Sequence, residues 1–469
     1  MNAVRGVAHS VWVAAAAGVL LGGCAVGPNY HRPAFDPAPY YKEANGWKPS
    51  EPADAMTRGP WWQIYHDAVL NDLEARIDIS NQNVKAAAAQ VEESRALVRQ
   101  AEAGFWPSLA ATGGWQRGRT PPLPTENFYT LGGQANWTID IWGQVRRSVE
   151  GSVASAQASE AALASARLAA QAQLAQDYFE LRSQDQLVLL LDDVVAAQQK
   201  SLKITQSRYR VGVAYKADVV SAQTQLLSSQ AQQVNAGVQR GVLEHAIAVL
   251  VGEVPARFSI ARAPLRSDVP TVPAGLPSAL LERRPDIAQA ERQVDAANAQ
   301  IGVAVSAFFP SLTLNGSTQY TSSMFGNLIR ASNDIWAFGP ALALTIFDAG
   351  LRRAKVAQAR ASFDASVDQY RQTVLSGFEQ VEDELVTLRV LEQQSVIEDA
   401  LVKASREAEN LTLEQYKSGT APYSSVITAQ TARIAAEETA LSVFLSRLTA
   451  SVTLIEALGG GWDQGQMSR

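Results

Sequence analysis

The chain has 469 residues and a formal net charge of −6, with 40 Lys plus Arg against 46 Asp plus Glu. This mildly acidic balance, without a run of basic residues, excludes the electrostatic footprint of a nucleic-acid-binding protein. A single cysteine excludes an internal disulfide framework and a Cys-based zinc site. Mean hydropathy is −0.08, and after the first two dozen residues no apolar run reaches the roughly 18 residues of a membrane-spanning helix. Any membrane span is therefore expected to be of another kind.

The first segment has the pattern of a lipoprotein signal peptide. A short apolar stretch at 11–21 ends in Leu-Gly-Gly-Cys, and the cysteine is the only one in the chain. This arrangement resembles a bacterial lipobox, which implies that residues 1–23 are removed and that Cys24 becomes the lipidated first residue. The alternative is an ordinary signal peptide with an incidental cysteine. Residue 25 is Ala rather than Asp, and in lipoproteins of this kind the absence of Asp after the lipidated cysteine indicates the outer membrane.

Residues 24–60 form a proline-rich arm. Proline at this density cannot continue a helix, because each ring removes a backbone donor and clashes with the preceding turn. We therefore predict an extended segment between the lipid anchor and the folded body. The prolines are Pro28, Pro33, Pro37, Pro39, Pro49, Pro52 and Pro60.

The remainder of the chain has the pattern of an internal duplication. Four short segments recur in the same order roughly 205 residues further along. They are 105–109 and 308–312, 137–139 and 344–346, 209–212 and 416–419, and 222–224 and 429–431. Each half is predicted to contain a helix, two strands, a very long helix, a turn and a shorter helix. The expected boundaries are a first repeat at 61–251, a linker at 252–277, a second repeat at 278–458 and a flexible tail at 459–469.

Each half contains a stretch that predicts a very long helix. Proline is absent between Pro124 and Pro255 and between Pro340 and Pro422, and good helix formers dominate both stretches. About 65 helical residues extend roughly 100 Å, which is longer than any globular core requires.

A glycine is expected to end each long helix, because glycine is favoured just past a helix C-terminus. These glycines are Gly212 and Gly419. A shorter partner helix is predicted to return at about 216–251 in the first half and at about 423–458 in the second.

Alternating patterns between the helices predict strands in pairs. The alternation covers 129–139 in the first half, and 312–320 and 336–346 in the second. Segments of about ten alternating residues with aromatic residues near their ends are typical of membrane β-strands. The alternative is a soluble β-hairpin packed on a helix.

Two hairpins supply four strands, which are too few to close a barrel. Because an open sheet edge exposed to lipid is not viable, strands in a bilayer have to come from several copies of the chain. Two copies give eight strands, three give twelve and four give sixteen, and each of these numbers is compatible with a closed barrel. The long helices would continue such an assembly as a ring beneath the barrel.

Four motifs occur in a characteristic order. They are Leu-Gly-Gly-Cys at 21–24, Gly-Pro-Asn-Tyr-His-Arg-Pro at 27–33, Arg-Pro-Asp-Ile at 284–287 and Phe-Phe-Pro-Ser-Leu at 308–312. In this combination the chain resembles the TolC/OprM-type outer membrane factors, and more closely the NodT-branch lipoproteins that serve efflux pumps. The resemblance covers essentially the whole mature chain. It implies a mainly α protein with a β membrane portion, in which a homotrimer forms a twelve-strand β-barrel continued by a long α-helical barrel.

The resemblance also implies partners and a docking site. A periplasmic adaptor protein would dock to the chain, and an inner-membrane pump, commonly of the resistance-nodulation-division class, would energise transport. The docking residues would be those of the two helix turns, although a plain helical hairpin needs glycine there as well. These residues are Val211, Gly212 and Val213 in the first turn, and Ser418, Gly419 and Thr420 in the second.

Residues near the same turns are candidates for the periplasmic aperture. Asp218 matches an aperture-lining aspartate of the family, and like charges around a symmetry axis would favour cations. The alternative for Asp218 is a first-turn aspartate favoured by the helix dipole. The second half departs from the family pattern, because Ser425 stands where an aspartate occurs. Aromatic side chains are expected to contribute to closure instead. These are Tyr209, Tyr416 and Tyr423.

An enzyme is the poorest reading of the sequence. The four histidines are scattered, and no metalloprotease, phosphate-loop or nucleophile-elbow motif occurs. We expect no cofactor and no metal. The function predicted is the outer membrane channel component of a tripartite efflux system that exports small molecules. A type I protein-secretion duct and a passive coiled-coil envelope lipoprotein are the alternatives.

Overall fold

A computed structural model describes residues 25–36, 38, 40–43, 59–119, 121, 124–265, 268–272, 280–462 and 465. The proposed signal peptide, Cys24 and residues 37, 39 and 44–58 of the proline-rich arm lie outside these residues. The chain divides into two compact units. The first comprises Met1–Phe35, Ala89–Glu160 and Gln289–Gln372, and the second comprises Asp36–Ala88, Ala161–Ala288 and Thr373–Arg469.

The secondary structure repeats once along the chain. The first half contains α1 (Ala68–Ser80), α2 (Gln82–Glu102), β1 (Ser108–Gly118), β2 (Glu126–Ile139), α3 (Gln144–Arg210) and α4 (Lys216–Leu250). The second half contains α5 (Leu280–Arg283), α6 (Pro285–Ser306), β3 (Ser311–Ser322), β4 (Asp334–Ala343), α7 (Leu351–Ser418) and α8 (Tyr423–Ala457). The helices α3 and α7 have 67 and 68 residues, which confirms the prediction of one very long helix in each half. The partner helices α4 and α8 also lie where they were predicted.

The four strands form one antiparallel sheet in the order β1-β2-β3-β4. Directly paired residues point to the same side of a sheet, so the register assigns each side chain to a face. One face is mostly apolar and includes Trp115 paired with Tyr129, Gly316 with Phe338, and Leu312 with Leu342. We call this the apolar face.

The opposite face of the sheet is mostly polar. It includes Gln134 paired with Ser317, and Thr138 paired with Thr313. The division into an apolar and a polar face confirms the alternation seen in the sequence.

The fourth strand is shorter than its alternation pattern predicts. Leu344 and Ile346 continue the pattern, but β4 ends at Ala343, which pairs with Ser311. The residue before Ser311 is Pro310, which has no backbone N–H to extend the ladder. The side chain of Ile346 is exposed, as are those of Phe338 and Leu342 within the strand.

An extended segment after Cys24 is held against the first unit. The Val26 backbone N–H donates to the Trp142 carbonyl at 3.0 Å. The Arg147 guanidinium donates to the Asn29 side-chain oxygen at 2.8 Å. Gly27 lies in the left-handed region, at φ 94°, and a Cβ there would lie 2.5 Å from the Cα of Gly302. A side chain larger than hydrogen at residue 27 would therefore displace this segment.

The second unit has its own hydrophobic core. Its largest buried side chains come from the segment before α1, from α3 and from α4. They include Trp61, Tyr178, Phe179, Leu181 and Ile247.

Helix α8 contributes a further part of this core. By length and composition it is the one helix among the described residues that is apolar enough to cross a membrane. The sequence did not indicate that α8 is so apolar, because its apolar residues do not form a continuous run. Nevertheless 44% of its most apolar window is buried inside the protein. The side chains of Leu448, Val452 and Leu454 belong to the core, so protein packing explains their apolar character.

Candidate functional site

The candidate site consists of the two connections between antiparallel helices in the second unit. The first turn is the segment 211–215 between α3 and α4, and the second turn is the segment 419–422 between α7 and α8. Both turns, and every site residue predicted from the sequence except Cys24, lie within described parts of the chain.

The two turns begin with the same backbone motif. In the first, the Gly212 N–H donates to the Tyr209 carbonyl at 3.0 Å, and the following N–H donates to the Arg208 carbonyl at 2.9 Å. In the second, the Gly419 N–H donates to the Tyr416 carbonyl at 3.1 Å, and the following N–H donates to the Gln415 carbonyl at 2.9 Å. This is the Schellman arrangement, in which the residue just after the helix takes a left-handed conformation. The two glycines have φ of 79° and 85°.

The residues predicted for docking are exposed. Val211 is 73% exposed and Val213 is 60% exposed, so the first turn presents apolar side chains to its surroundings. The corresponding side chains of the second turn, Ser418 and Thr420, are also exposed but are polar, and their hydroxyls lie 3.2 Å apart. The two turns therefore share a backbone but differ in surface chemistry.

Asp218 acts as a helix cap. Its carboxylate accepts a hydrogen bond from the Tyr215 backbone N–H at 3.2 Å, and its own N–H donates to the Tyr215 carbonyl at 3.1 Å. A carboxylate in the first turn also interacts favourably with the positive end of the helix. The half-buried Asp218 thus stabilises the start of α4, which is the structural role given above as the alternative to an aperture residue.

Ser425 occupies the equivalent position in the second hairpin. The residue before α8 is Pro422, which takes the place that Tyr215 has before α4. Because proline has no N–H, the second turn contains no donor that a carboxylate at residue 425 would satisfy. The change from Asp218 to Ser425 therefore has a local physical reason.

Two of the three candidate tyrosines are buried side by side. Tyr416 and Tyr423 are each 3% exposed, and their ring centroids lie 5.2 Å apart. The Tyr416 hydroxyl donates to the Thr205 hydroxyl oxygen at 3.4 Å, and the Tyr423 hydroxyl lies 3.4 Å from that of Ser201. Both rings pack inside the chain against α3, which favours a role in holding the two hairpins together rather than in facing a lumen.

The third candidate tyrosine has a different setting. Tyr209 occupies in the first hairpin the position that Tyr416 has in the second, yet it is 46% exposed. Of the three rings, only this one has a large surface available for contacts outside the chain.

The electrostatic environment of Tyr423 links it to the first hairpin. Burial raises the pKa of Tyr423, and the negative charge of Asp218 acts in the same direction. The hydroxyl therefore remains protonated over the physiological pH range.

Arg208 joins the two hairpins and was not predicted from the sequence. Its guanidinium donates to the Lys417 carbonyl at 2.8 Å and lies 4.7 Å from the centroid of the Tyr416 ring. A cation over an aromatic face is attracted by the ring quadrupole. The spacing of Ser201, Thr205 and Arg208 places them on one face of α3, which is the only sequence signal that marks them.

The described residues contain no group of three His, Cys, Asp or Glu side chains arranged to hold a metal ion.

Comparisons with known proteins agree with this architecture. The family model described as outer membrane efflux protein matches residues 76–253 and 276–460. The toluene efflux pump outer membrane protein TtgC of Pseudomonas putida is 31% identical over 94% of both chains. The outer membrane protein OprJ of Pseudomonas aeruginosa is 30% identical over 95% of both chains. The crystal structure of the Neisseria gonorrhoeae MtrE outer membrane channel superposes with a TM-score of 0.84, at 28% identity, and covers 94% of this chain and 99% of that one.

The fold and its paired helical hairpins define an outer membrane channel protein of mixed α and β structure. The match to more than half of the chain shows that it belongs to the outer membrane efflux protein family. The prediction of an outer membrane channel component for efflux is confirmed, and the family is one of channels rather than enzymes.

Proposed function

We propose that this chain is the lipid-anchored, homotrimeric exit duct of a tripartite efflux system. The main observation in support of this proposal is that the four-stranded sheet is open. Within the described residues β1 pairs only with β2, and β4 only with β3, so both outer strands leave a row of backbone donors and acceptors unpaired. In a hydrocarbon environment each unpaired group costs several kcal/mol, about the cost of an unmade hydrogen bond there. Pairing β1 of one copy with β4 of the next removes both edges.

The sheet has the two faces that such a wall requires. Its apolar face would contact lipid, and its polar face, with Gln134, Asn136 and Asn315, would line a water-filled interior. Three copies would supply twelve strands, the number that the family resemblance implies. A passive coiled-coil lipoprotein has no need for this sheet.

The lipid anchor at Cys24 is supported by the position of the residues that follow it. The hydrogen bond from Val26 to Trp142 holds the chain three residues beyond the end of β2 at Ile139. Acyl chains on Cys24 would therefore enter the bilayer beside the sheet. We also propose the predicted domain organisation, with a signal peptide at 1–23, an arm at 24–60, repeats at 61–251 and 278–458, a linker at 252–277 and a tail at 459–469. The order of helices and strands, which repeats once along the chain, supports the two repeats.

Partners are proposed from the surface of the two turns. The exposed residues at 211–213 and 418–420 are accessible for docking a periplasmic adaptor protein, which would connect the duct to an inner-membrane pump of the resistance-nodulation-division class. Asp218 and the exposed Tyr209 are the remaining candidates for the aperture, while Tyr416 and Tyr423 would act by positioning the turns. Small molecules are the proposed cargo, because relatives are named for the efflux of toluene, antibiotics and solvents.

Disulfide trapping across the proposed subunit boundary tests the assembly. One cysteine at Thr112 in β1 is combined in turn with a cysteine at Ala337, Gly339 or Ala341 in β4. A disulfide needs Cα atoms about 4.4–6.8 Å apart, whereas two intervening strands separate β1 from β4 within one chain by about 14 Å. One of the registers is expected to give covalent dimers and trimers in denaturing gels.

A matched control uses two strands that are paired within the chain. Cysteines at Gly133 in β2 and Thr318 in β3 face each other directly, so their disulfide should leave the chain migrating as a monomer. Absence of covalent oligomers in every register, together with a monomer in mild detergent, would contradict the trimeric duct.

A further inference from the structure

The segment between β3 and β4 packs on the apolar face of the sheet and borders an open cavity. It contains two short 3-10 turns, Phe325–Asn327 and Ala331–Asn333. The Phe325 ring lies 5.6 Å from the ring of Tyr129 in an edge-on arrangement. The cavity has a volume of about 600 Å³. Its lining residues include Gly113, Trp115, Tyr129, Thr130, Phe325, Gly326 and Ile329.

The lining of this cavity is mostly apolar, yet much of it is exposed. Phe325 is 72% exposed and Ile329 is 70% exposed. Apolar surface of this kind is unfavourable in water, and a contiguous patch marks an interaction site. A volume of about 600 Å³ lies within the range of roughly 300–1,000 Å³ that is typical of small-ligand sites.

The position along the strands indicates what the cavity faces. Trp115 lies three residues before the end of β1, and Tyr129 lies three residues after the start of β2, so the cavity is about 10 Å from the hairpin end of the sheet. This end is opposite to the one from which α3 and α7 continue. In the proposed duct the helices are periplasmic, so the cavity would open into the outer leaflet of the membrane.

Two basic residues lie close in sequence to the cavity lining. Arg117 lies two residues beyond Trp115 and on the same face of β1, because it pairs with Asn127 in the same ladder. Arg330 directly follows Ile329. Both are exposed, and neither guanidinium has a carboxylate partner among the residues that the structure describes. Asp334 shares the apolar face, and its carboxylate accepts from the Thr318 hydroxyl at 2.9 Å.

We infer that this cavity is a binding site for an outer-leaflet lipid that carries phosphate, namely the lipid A portion of lipopolysaccharide. One acyl chain would occupy the apolar cavity, and a phosphate would contact Arg117 and Arg330. Arginine suits this task because its planar guanidinium can donate two parallel hydrogen bonds to a phosphate. The inference rests on the proposed function, since it requires that the apolar face lies in the outer membrane.

Lipid retention by the purified, full-length protein tests the site. The trimer is extracted in mild detergent, delipidated, and incubated with lipid A or with dephosphorylated lipid A, and bound copies are counted by native mass spectrometry. The wild-type protein should retain lipid A preferentially. Replacing both basic residues, with Arg117→Gln and Arg330→Gln, should weaken retention at least about tenfold, the loss expected for a charge-assisted hydrogen bond, and should abolish the preference for phosphate.

Filling the cavity provides a second and independent variant. A Cβ at Gly113 would meet only ordinary contacts, the nearest at 3.8 Å to Leu131, so Gly113→Leu is compatible with the backbone. We expect it to reduce retention of both lipids. The matched control is Gly133→Leu. It adds the same side chain to the apolar face of the sheet, but on β2 and outside the cavity, and this variant should retain lipid A like the wild type. Gly326→Leu replaces Gly113→Leu if that variant fails to trimerise, because nothing lies within 4 Å of a Cβ at residue 326.

Conductance in planar bilayers distinguishes a failure of the proposed function from a failure of the lipid site. A wild-type protein that neither trimerises nor conducts would contradict the proposed function. A conducting trimer that binds both lipids equally, or whose Gly113→Leu and Gly326→Leu variants retain lipid A unchanged, would overturn the lipid site alone. A photoreactive side chain at Ile329 that crosslinks in cells to a second copy of the chain rather than to lipid would also overturn it.

Discussion

The two helical turns have the same backbone but are stabilised in different ways. The first turn uses the Asp218 carboxylate to satisfy a backbone donor, whereas the second turn has Pro422 and therefore no donor to satisfy. The ring of Tyr209 is half exposed at the first turn, whereas the equivalent ring of Tyr416 is buried at the second. The two turns thus share the glycine motif, whereas the first is apolar and charged and the second is polar and internally packed.

The largest expected effect comes from removing the buried ring at the second turn. Tyr416→Ala should lower the free energy of unfolding by about 3–5 kcal/mol, because it removes a fully buried aromatic side chain and leaves a cavity. The matched variant Tyr209→Ala should change it by less than about 0.5 kcal/mol, as is usual for exposed positions. Thermal or denaturant unfolding of the detergent-solubilised protein measures both. Equal effects would remove the proposed difference between the turns.

The two glycines should respond alike, because the backbone is the feature that the turns share. Gly212→Ala and Gly419→Ala each place a Cβ in the left-handed region, which costs about 1–2 kcal/mol. No steric difference separates them, since the nearest group to a Cβ at Gly419 is the Arg208 guanidinium at 3.6 Å, an ordinary contact. If the two variants differ in their loss of unfolding free energy by more than about 2 kcal/mol, the turns are not equivalent in backbone strain.

The caps should respond differently. Asp218→Ala should cost about 1 kcal/mol through loss of the helix cap, whereas Ser425→Ala should have almost no effect. Ser425→Asp should gain little, because Pro422 offers no N–H to the new carboxylate. A stabilisation by Ser425→Asp as large as the loss from Asp218→Ala would contradict the explanation based on Pro422.

Asp218 also provides a test of the proposed aperture. If three copies approach the axis, Asp218→Asn should reduce the cation preference of the pore in planar bilayers, because it removes charge while leaving an oxygen for the cap. Ser425→Ala serves as the control and should leave selectivity unchanged. Selectivity and conductance that are unaffected by Asp218→Asn would exclude this residue from the aperture while leaving its capping role intact.

The smallest expected effect is a change in pH dependence. Burial raises the pKa of Tyr423 above the unfolded value of about 10. The associated stability is fully present below pH 10 and is lost as the pH rises toward the folded-state value, because the unfolded chain releases the proton first. The unfolding free energy of the wild type should therefore fall more steeply above pH 10 than that of Tyr423→Phe. Tyr215→Phe, at an exposed position in the first turn, should follow the wild-type slope.

Much of the fold is readable from the sequence because it depends on local patterns. Helix length follows from the absence of proline, the turns follow from Gly212 and Gly419, and the sheet faces follow from alternation. The burial of Tyr416 does not follow, because Tyr209 stands in the same motif and is exposed. Its environment depends on contacts with Thr205 and Arg208 in a helix more than two hundred residues away, which no local pattern records.

The different capping of the two turns was available in the sequence but required the structure to interpret it. The replacement of Asp218 by Ser425 reads as the loss of a functional charge when it is considered alone. However, Pro422 stands in the second turn where Tyr215 stands in the first, and proline has no N–H. The second turn therefore lacks both the carboxylate acceptor and the backbone donor that it would cap.

The segment that follows Cys24 has a consequence for biogenesis. Its residues bond to both halves of the chain, since Val26 donates to the Trp142 carbonyl and the Asn298 amide donates to the Pro28 carbonyl. The amino terminus is synthesised first, but its partners in the second half emerge only after some two hundred and seventy further residues. Neither half can complete its native contacts alone, so the first unit reaches its full set of contacts only after secretion has delivered the whole polypeptide.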